Sequence, residues 1–336
     1  MLICGDNLEV LRGVADGTID LIYIDPPYAS GNRYAGAYDD WSDLDAYLAF
    51  LCPRLSEMRR TLAPHGSLFV HLDHNAAHYV KVELDRMFGR DQFRGEIVWQ
   101  KIRVKKAQAS GFPRVHDTIL WYSRSAGFHY DHQYEPLDAA YVRSHYGEKG
   151  YQLVSLIQDG AGPPRRFGNR VLAPPPGKHW IWSQERIDRA LAAGRIRFTR
   201  SGRPRLVRRL DEARGNVLGD VWTDIPPVNS QAAERAGWPT QKPVALVERV
   251  IAACSRPGDL VADFFCGSGT TGVAASRLGR RYLLVDTQPM AVALSQRRLD
   301  GCQAQAPLLK KAGGSQSTRR HARRRGRTAA GRTVRG

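Results

Sequence analysis

The chain has 336 residues and 42% hydrophobic content, enough for one large α/β domain with an inserted or appended module. No stretch approaches the ~20 consecutive apolar residues of a membrane helix, and the N-terminus lacks the regions of a secretory signal, so a cytoplasmic protein with no membrane association is expected. The five cysteines are scattered without a CxxC pair, which argues against a metal knuckle, and the net charge of +17 points towards a polyanionic partner.

The positive charge is concentrated in two segments. Residues 165–214 contain fourteen basic side chains and four acidic ones, and residues 310–336 contain ten basic side chains and no acidic one. Because neutralising phosphates releases counterions, a basic module plus a basic tail is typical of a nucleic-acid-binding protein. A solvated, charge-rich surface is the alternative, above all for the tail, since blocks of like charge are disordered whether or not they bind a partner.

The first hundred residues alternate between strand and helix patterns. Residues 19–24 form a short apolar run that predicts a strand, and Pro26 and Pro27 end it. Apolar spacing predicts helices over 43–62 and 78–88. Further strands are predicted at 67–71, 96–100 and 118–122. Strands that alternate with helices predict an α/β fold with a doubly wound, mostly parallel sheet.

The middle of the chain differs in kind. Prolines at 163–164 and 174–176 interrupt periodicity, and a clear helical pattern appears at 184–193 alone, which predicts a separate recognition module. The α/β rhythm then resumes with a helix at 243–255, a strand at 260–263, a helix at 271–278 and a strand at 282–285. The composition after about residue 303 predicts a disordered tail.

A glycine-rich turn follows the strand that ends at Asp263. Its small residues, FCGSG at 265–269, let the backbone approach a ligand at the end of a parallel strand. About twenty residues later the next strand ends at Asp286, whose carboxylate can accept hydrogen bonds from both hydroxyls of a ribose. Without a third glycine in dinucleotide register or a GK[ST] clamp, neither NAD nor ATP fits well, and an adenosyl-like ligand is favoured. A turn that merely packs strand against helix is the alternative for this feature alone.

The second chemical signal is DPPY at 25–28. The carboxylate of Asp25 and the carbonyl of Pro26 can accept the two hydrogens of a planar amine, while Tyr28 stacks on its ring. An exocyclic amine is a poor nucleophile because its lone pair is delocalised into the ring. Two acceptors that favour pyramidal geometry would free that lone pair for in-line attack on a sulfonium methyl. Taken alone, a DPP turn is also an ordinary start of a loop.

Four motifs in order make the sequence resemble the amino-methyltransferases of restriction–modification systems, in the circularly permuted (beta-group) arrangement. They are GDNLEVL at 5–11, DLIYIDPPY at 20–28, GWPTQKP at 237–243 and DFFCGSGTT at 263–271. The resemblance spans about residues 1–302. It implies a Rossmann-like, seven-stranded methyltransferase sheet that ends in a reversed hairpin, an inserted target-recognition module, and flipping of the target base.

The resemblance also implies roles for individual residues. S-adenosyl-L-methionine is the implied cofactor and double-stranded DNA the implied substrate. The catalytic residues would be Asp25, Pro26, Pro27 and Tyr28. The cofactor-binding residues would be Asp6, Gln241, Lys242, Asp263, Phe265, Cys266, Gly267, Ser268, Gly269, Thr270 and Asp286. Among these, Asp6 would contact the adenine, Asp286 the ribose and 265–269 the methionine part. A DPPY loop implies N6 of adenine as the acceptor, with N4 of cytosine as the alternative.

The implied organisation has four parts: a catalytic half at 1–100, a basic target-recognition region at 101–236, a cofactor-binding half at 237–302 and a basic tail at 303–336. The resemblance favours a homodimer and raises a restriction endonuclease as a partner. Multi-chain restriction subunits with this motif order are commonly longer, so the need for that partner stays open. One rival function is a DNA-binding subunit that has lost its activity, although the intact motifs argue against such a loss. A methyltransferase that acts on RNA or on a protein amine is a further rival.

For several other residues a structural role is predicted in preference to a chemical one. His71, Asp73, His74 and His78 resemble zinc ligands, but His71 is predicted to end a strand and amine methylation needs no metal, so no metal site is predicted. Cys266 is predicted to be a small buried thiol rather than a nucleophile. The tryptophans in or near the basic module, Trp180, Trp182, Trp222 and Trp238, are predicted mainly to pack. The arginines of 165–214 are predicted to contact DNA, mostly at phosphates and in a few cases at base edges.

Overall fold

The computed structural model describes residues 1–34, 38–102 and 111–305, so the predicted basic tail lies outside the described residues from 306 onwards. The α-helices in this part of the chain are α1 (Asn7–Gly13), α2 (Leu44–Thr61), α3 (Ala77–Phe88), α4 (Ala139–His145), α5 (Gln184–Ala192), α6 (Val244–Cys254), α7 (Thr270–Arg277) and α8 (Pro289–Gln305). No helix in the described residues is both long and apolar enough to cross a membrane.

The strands fall into a central sheet and several small sheets. In chain order they are β1 (Leu2–Cys4), β2 (Ile19–Ile24), β3 (Arg33–Tyr34), β4 (Tyr38–Asp39), β5 (Leu62–Leu72), β6 (Phe93–Gln100), β7 (His116–Ser123), β8 (Tyr134–Glu135), β9 (Tyr151–Ser155), β10 (Ile157–Asp159), β11 (Arg165–Phe167), β12 (Arg170–Leu172), β13 (Lys178–Trp180), β14 (Ile196–Phe198), β15 (Pro204–Arg209), β16 (Asn216–Val217), β17 (Val221–Trp222), β18 (Leu260–Asp263) and β19 (Arg281–Asp286).

The central sheet has the order β1-β19-β18-β2-β5-β7-β6-β17. Neighbouring strands are parallel except where β7 pairs antiparallel with β5 and with β6. This confirms the predicted doubly wound, mostly parallel sheet with a reversed hairpin. Seven strands form the predicted sheet, and the two-residue β17 extends it to eight at the β6 edge.

Strand β2 shows why the sheet is covered on both faces. Ile22 and Ile24 point into an apolar cluster with α2 and α3, whereas Leu21 and Tyr23 point into a second cluster with α6 and α7. Side chains alternate between faces along a strand, so a strand buried on both sides becomes the continuous apolar run seen in the sequence. The helices therefore pack as two layers around a buried sheet.

Strand β5 departs from its prediction at one end. It begins at Leu62 rather than at residue 67, so the segment 64–66, with its proline and glycine, lies inside the strand. The pairing with β2 is irregular there, between Ile19 and Leu21. A Cβ on Gly66 would lie 2.9 Å from the carbonyl oxygen of Ile19, so the close approach requires glycine at this position.

The middle of the chain has a core of its own. Leu156, Phe167, Ile187, Ala190 and Ile196 form a separate buried cluster under short strands and α5. The largest sheet here is three-stranded and antiparallel, in the order β14-β15-β9. Strands β7 and β17 fall within 101–236 but belong to the central sheet, so that predicted region contains two strands of the central sheet as well as this module.

Candidate active site

Four acidic side chains meet at one edge of the central sheet. Asp263 and Asp286 end β18 and β19, while Asp25 and Asp6 follow β2 and β1. The carboxyl ends of neighbouring parallel strands lie at the same edge, which is where ligands bind in open α/β sheets. All four carboxylates line one cavity.

The glycine-rich turn is held against this cavity by hydrogen bonds to two of the acids. Asp263 accepts from the Phe265 backbone N–H at 2.9 Å and from the Thr271 hydroxyl at 2.6 Å. Asp286 accepts from the Gly267 N–H at 2.8 Å. Burial raises the pKa of Asp263 to about 7 and also raises the pKa of Asp286. The turn is therefore anchored to two carboxyl groups whose pKa values are raised by burial.

The glycine-rich turn and the start of α7 pack closely against α8. Gly269 has φ +76° as the N-cap of α7, and a Cβ there would lie 2.5 Å from the Ser295 hydroxyl. Arg298 donates to the Ser268 carbonyl at 2.7 Å and to the Thr270 hydroxyl at 3.1 Å. Burial raises the pKa of the Cys266 thiol well above its usual range, which fits the predicted buried thiol rather than a nucleophile.

Asp6, in the same cavity, has two structural partners. One of its oxygens accepts from the Leu8 and Glu9 N–H groups and caps α1, while the other pairs with Arg54 at 2.9 Å. Burial acts to raise the pKa of Asp6, but the two backbone hydrogen bonds and Arg54 together lower it. The guanidinium of Arg54 stacks on Phe50, 3.8 Å from the ring centroid.

Arg54, Phe50 and Asn7 also line the cavity, and none of the three was predicted from the sequence as a site residue. The sequence contains a signal for Arg54, because this residue falls on the apolar stripe of α2 between Leu51 and Leu55. In the structure Arg54 is 8% exposed. A charged residue at such a position needs partners, and its partners here are Asp6 and Asn7.

The DPPY loop lies where the first cavity meets a second one. Asp25 and Pro27 line the first cavity, Tyr28 lines the second, and Pro26 is buried between them. One oxygen of Asp25 accepts from the Tyr28 hydroxyl at 3.0 Å, and the other pairs with the Lys242 ammonium at 2.5 Å. Burial, reinforced by Asp25, raises the pKa of Tyr28, which keeps the phenol protonated.

Behind Tyr28, three neighbouring strands carry a buried polar network. Asp117 pairs with Lys101 at 2.6 Å and with His71 at 3.2 Å, and His71 contacts the Tyr23 hydroxyl at 2.8 Å. His71 is therefore a satisfied core histidine. Nowhere in the described residues do three or more His, Cys, Asp or Glu side chains gather as a metal site would require.

Most of the predicted cofactor residues line the first cavity. They are Asp6, Gln241, Lys242, Asp263, Phe265, Cys266, Gly267, Ser268, Thr270 and Asp286. Gly269 lies behind them at the start of α7. Of the four tryptophans, Trp222 is buried in the core, Trp180 and Trp182 pack on the module's cluster, and Trp238 lines both cavities.

Comparison with known proteins decides what this site belongs to. The family model described as DNA methylase matches residues 19–297, which is most of the chain. The chain belongs to the DNA methylase family.

Named relatives agree with that membership. The chain is 33% identical over 304 residues to the type II methyltransferase M.EcaI of Enterobacter cloacae, covering 87% of this chain and 67% of that protein. It is 25% identical over 299 residues to the DNA adenine methyltransferase YhdJ of Escherichia coli K12, covering 89% and 82%. The PvuII cytosine-N4-specific DNA methyltransferase has the same fold, with a TM-score of 0.52, 16% identity and 90% coverage of both chains.

Family membership makes this protein a DNA methyltransferase of the restriction–modification type with S-adenosylmethionine as methyl donor. The cavity fits that donor, because it combines strand-end carboxylates for hydroxyl and ammonium groups with a glycine-containing turn and flat side chains. The predictions of fold, family and cofactor are thus confirmed.

Proposed function

We propose that this protein methylates N6 of adenine in duplex DNA. The observation that carries the proposal is the position of Asp25: its carboxylate lies in the wall of the cofactor cavity and hydrogen-bonds Tyr28, which lines the second cavity. An amine held by Asp25 from the second cavity would therefore face the methyl donor in the first. Transfer would be direct and in line, with the chain supplying position and electrostatics.

In this proposal the predicted residues keep their roles. Asp25 and the carbonyl of Pro26 accept the hydrogens of the target amine, and Tyr28 stacks on its ring. Asp286 holds the ribose hydroxyls, Asp6 and its neighbours hold the adenine, and the 265–269 turn holds the methionine part. The donor supplies an electrophilic methyl group, and the residues around it orient that group and exclude water.

The choice of adenine rests on the DPPY sequence. An aspartate at position 25 is what the resemblance associates with N6-adenine, and one curated relative is an adenine methyltransferase. The alternative is N4 of cytosine, whose amine has the same chemistry. The basic module within 101–236 would select the sequence, with a homodimer and a restriction endonuclease partner as further expectations.

The deciding experiment identifies the methylated base. The purified protein is incubated with S-adenosylmethionine and unmodified plasmid DNA, and the nucleosides are analysed by mass spectrometry. We expect N6-methyl-2′-deoxyadenosine. N4-methylcytosine would keep the mechanism and refute the choice of base. No methylated base, with cofactor binding intact, would favour an RNA target or an inactive subunit.

A variant tests the mechanism itself. Asp25→Ala should lower the transfer rate by at least about 10²-fold, because the amine loses its acceptor, while cofactor binding is largely retained. Asp16→Ala, which removes an exposed carboxylate far from the cavity, is the matched control and should transfer at the normal rate. Undiminished turnover of Asp25→Ala would refute the mechanism.

A further inference from the structure

Lys242 stands between the two cavities and lines both of them. Its ammonium lies 2.5 Å from one oxygen of Asp25, 3.3 Å from the Thr240 carbonyl and 5.2 Å from the centroid of the Tyr28 ring. The Lys242 side chain is 8% exposed and that of Asp25 is 21% exposed. A pair this sheltered is screened much less than a surface ion pair, so its partners feel a nearby charge strongly.

The backbone of Lys242 is tied to the cofactor turn. The Thr270 hydroxyl donates to the Lys242 carbonyl at 3.3 Å, and Arg298 donates in turn to the Thr270 hydroxyl. Thr240, two residues earlier, has φ +57°, a conformation that a β-branched residue holds only where its surroundings require it. The segment is thus fixed to the cofactor site, while its lysine side chain reaches the catalytic carboxylate.

Both oxygens of Asp25 accept a hydrogen bond, one from Tyr28 and one from Lys242. The target amine must compete with these donors for a carboxylate whose charge Lys242 neutralises. The methyl donor is a sulfonium cation, whereas its product, S-adenosylhomocysteine, is a neutral thioether. A sulfonium that can reach an amine on Asp25 brings a second cation to the carboxylate that Lys242 already neutralises, and like charges in a sheltered site repel.

We propose that Lys242 senses the charge of the bound cofactor. It pairs with Asp25 in the free protein and in the complex with S-adenosylhomocysteine, and the sulfonium of S-adenosylmethionine displaces it, which frees an oxygen of Asp25 for the target amine. The inference rests on the proposed role of Asp25. Its consequence is a target site that opens when a methyl group is available and closes when the methyl group has gone.

The test measures the affinities for S-adenosylmethionine and S-adenosylhomocysteine by calorimetry, without DNA, in the wild-type protein and in Lys242→Met. Removing the competing cation should raise the preference for the sulfonium over the thioether by about tenfold. Lys242→Arg keeps the cation and should retain the wild-type preference. If Lys242→Met does not fold, Lys242→Gln replaces it, with thermal unfolding as the check.

A second variant distinguishes the effect of the Lys242–Asp25 pair from the effect of removing any positive charge from the cavity. Arg54→Met removes the cavity's other buried cation, which pairs with Asp6. It should change the preference far less than Lys242→Met does. An equal change in both variants, an equal change in both affinities, or no change in Lys242→Met would overturn the inference. Because no DNA is present, failure here is distinct from failure to find a methylated base.

Discussion

Asp263 should make cofactor binding sensitive to pH. Burial raises the pKa of its carboxyl group to about 7, and the hydrogen bonds from Thr271 and Phe265 oppose that rise without cancelling it. Below about pH 7 the group is therefore mostly neutral in the free protein. A cationic ligand favours the carboxylate, so the affinity for S-adenosylmethionine should rise with pH up to about 7 and then level off.

Calorimetry in two buffers of different ionisation enthalpy measures this linkage directly. At about pH 6 binding should release protons, and Asp263→Asn should abolish most of that release and flatten the profile. Asp286, whose pKa is also raised by burial, serves as the comparison through Asp286→Asn. Without cofactor, the stability of the fold depends on pH in the opposite direction. The unfolded chain loses the Asp263 proton near the ordinary pKa of 3.8, whereas the folded chain keeps it up to about pH 7, so the contribution of Asp263 to stability falls as pH rises towards 7. A flat wild-type affinity profile would contradict the expectation.

At this scale the sequence predicted residues that belong to contiguous motifs. Asp25, Asp263 and Asp286 could be placed because each ends or directly follows a recognisable strand. Arg54 and Phe50 could not, since they reach the cavity from the middle of a helix whose register on the sheet depends on packing. The pairing of Lys242 with Asp25 joins residues 217 positions apart and required the folded chain.

Among the secondary-structure elements, the start of α7 is fixed by a glycine with no room for a side chain. In Gly269→Ala the new Cβ would meet Ser295 on α8 in addition to adopting an unfavourable positive φ. We expect a loss of about 2–4 kcal/mol in the free energy of unfolding. Gly279→Ala is the matched control: φ is +71° but nothing lies within 4 Å, so the loss should be about 1 kcal/mol. Urea-induced unfolding compares them, and equal losses would show that packing against α8 contributes nothing.

The three-stranded sheet of the module carries like charges on one face. Arg197 and Arg205 lie directly opposite each other on β14 and β15, and Arg209 follows two positions after Val207 on the same face. Opposed like charges destabilise a sheet unless a polyanion neutralises them. Arg205→Ala should therefore unfold at slightly higher denaturant concentration yet bind duplex DNA more weakly.

Salt dependence identifies the cause of the weaker binding. Each lost phosphate contact should reduce the slope of log affinity against log salt by about 0.9. Arg195→Ala is the control, because Arg195 is paired with Glu212 within the module and should affect DNA binding less. Unchanged affinity in Arg205→Ala would remove this face from the DNA interface.

The elements themselves were predictable to different degrees. Six of the eight central strands and the helices α2, α3, α5, α6 and α7 were predicted, most of them within a few residues, since apolar periodicity and caps such as Asp43 specify them locally. The short β1 and β17 of the same sheet were not predicted. The module's two- and three-residue strands and the short α4, which buries no side chain, leave no such pattern. Their pairing is set by tertiary contacts, so the sequence indicated only that this region was different.

For the whole molecule, the separation of the cores predicts separate unfolding. The central sheet is stabilised by two large apolar clusters, one on each face, whereas five buried apolar residues form the module's cluster. A small core buries little apolar surface, so its amides should exchange with solvent through a local opening of low free energy. Hydrogen exchange should therefore be faster in β14 and β15 than in β2, β18 and β19.

Ligands should act on the two cores differently. In the proposed binding mode S-adenosylmethionine contacts residues at the ends of central strands, so at 100 times its dissociation constant it should protect β18 and β19 by up to about 2.7 kcal/mol and leave β14 and β15 unchanged. Duplex DNA, which the basic face of the module would contact, should protect β14 and β15 instead. If the cofactor alone protected the central sheet and the module equally, the chain would unfold as one cooperative unit. Cofactor binding would then stabilise the module as much as the central sheet.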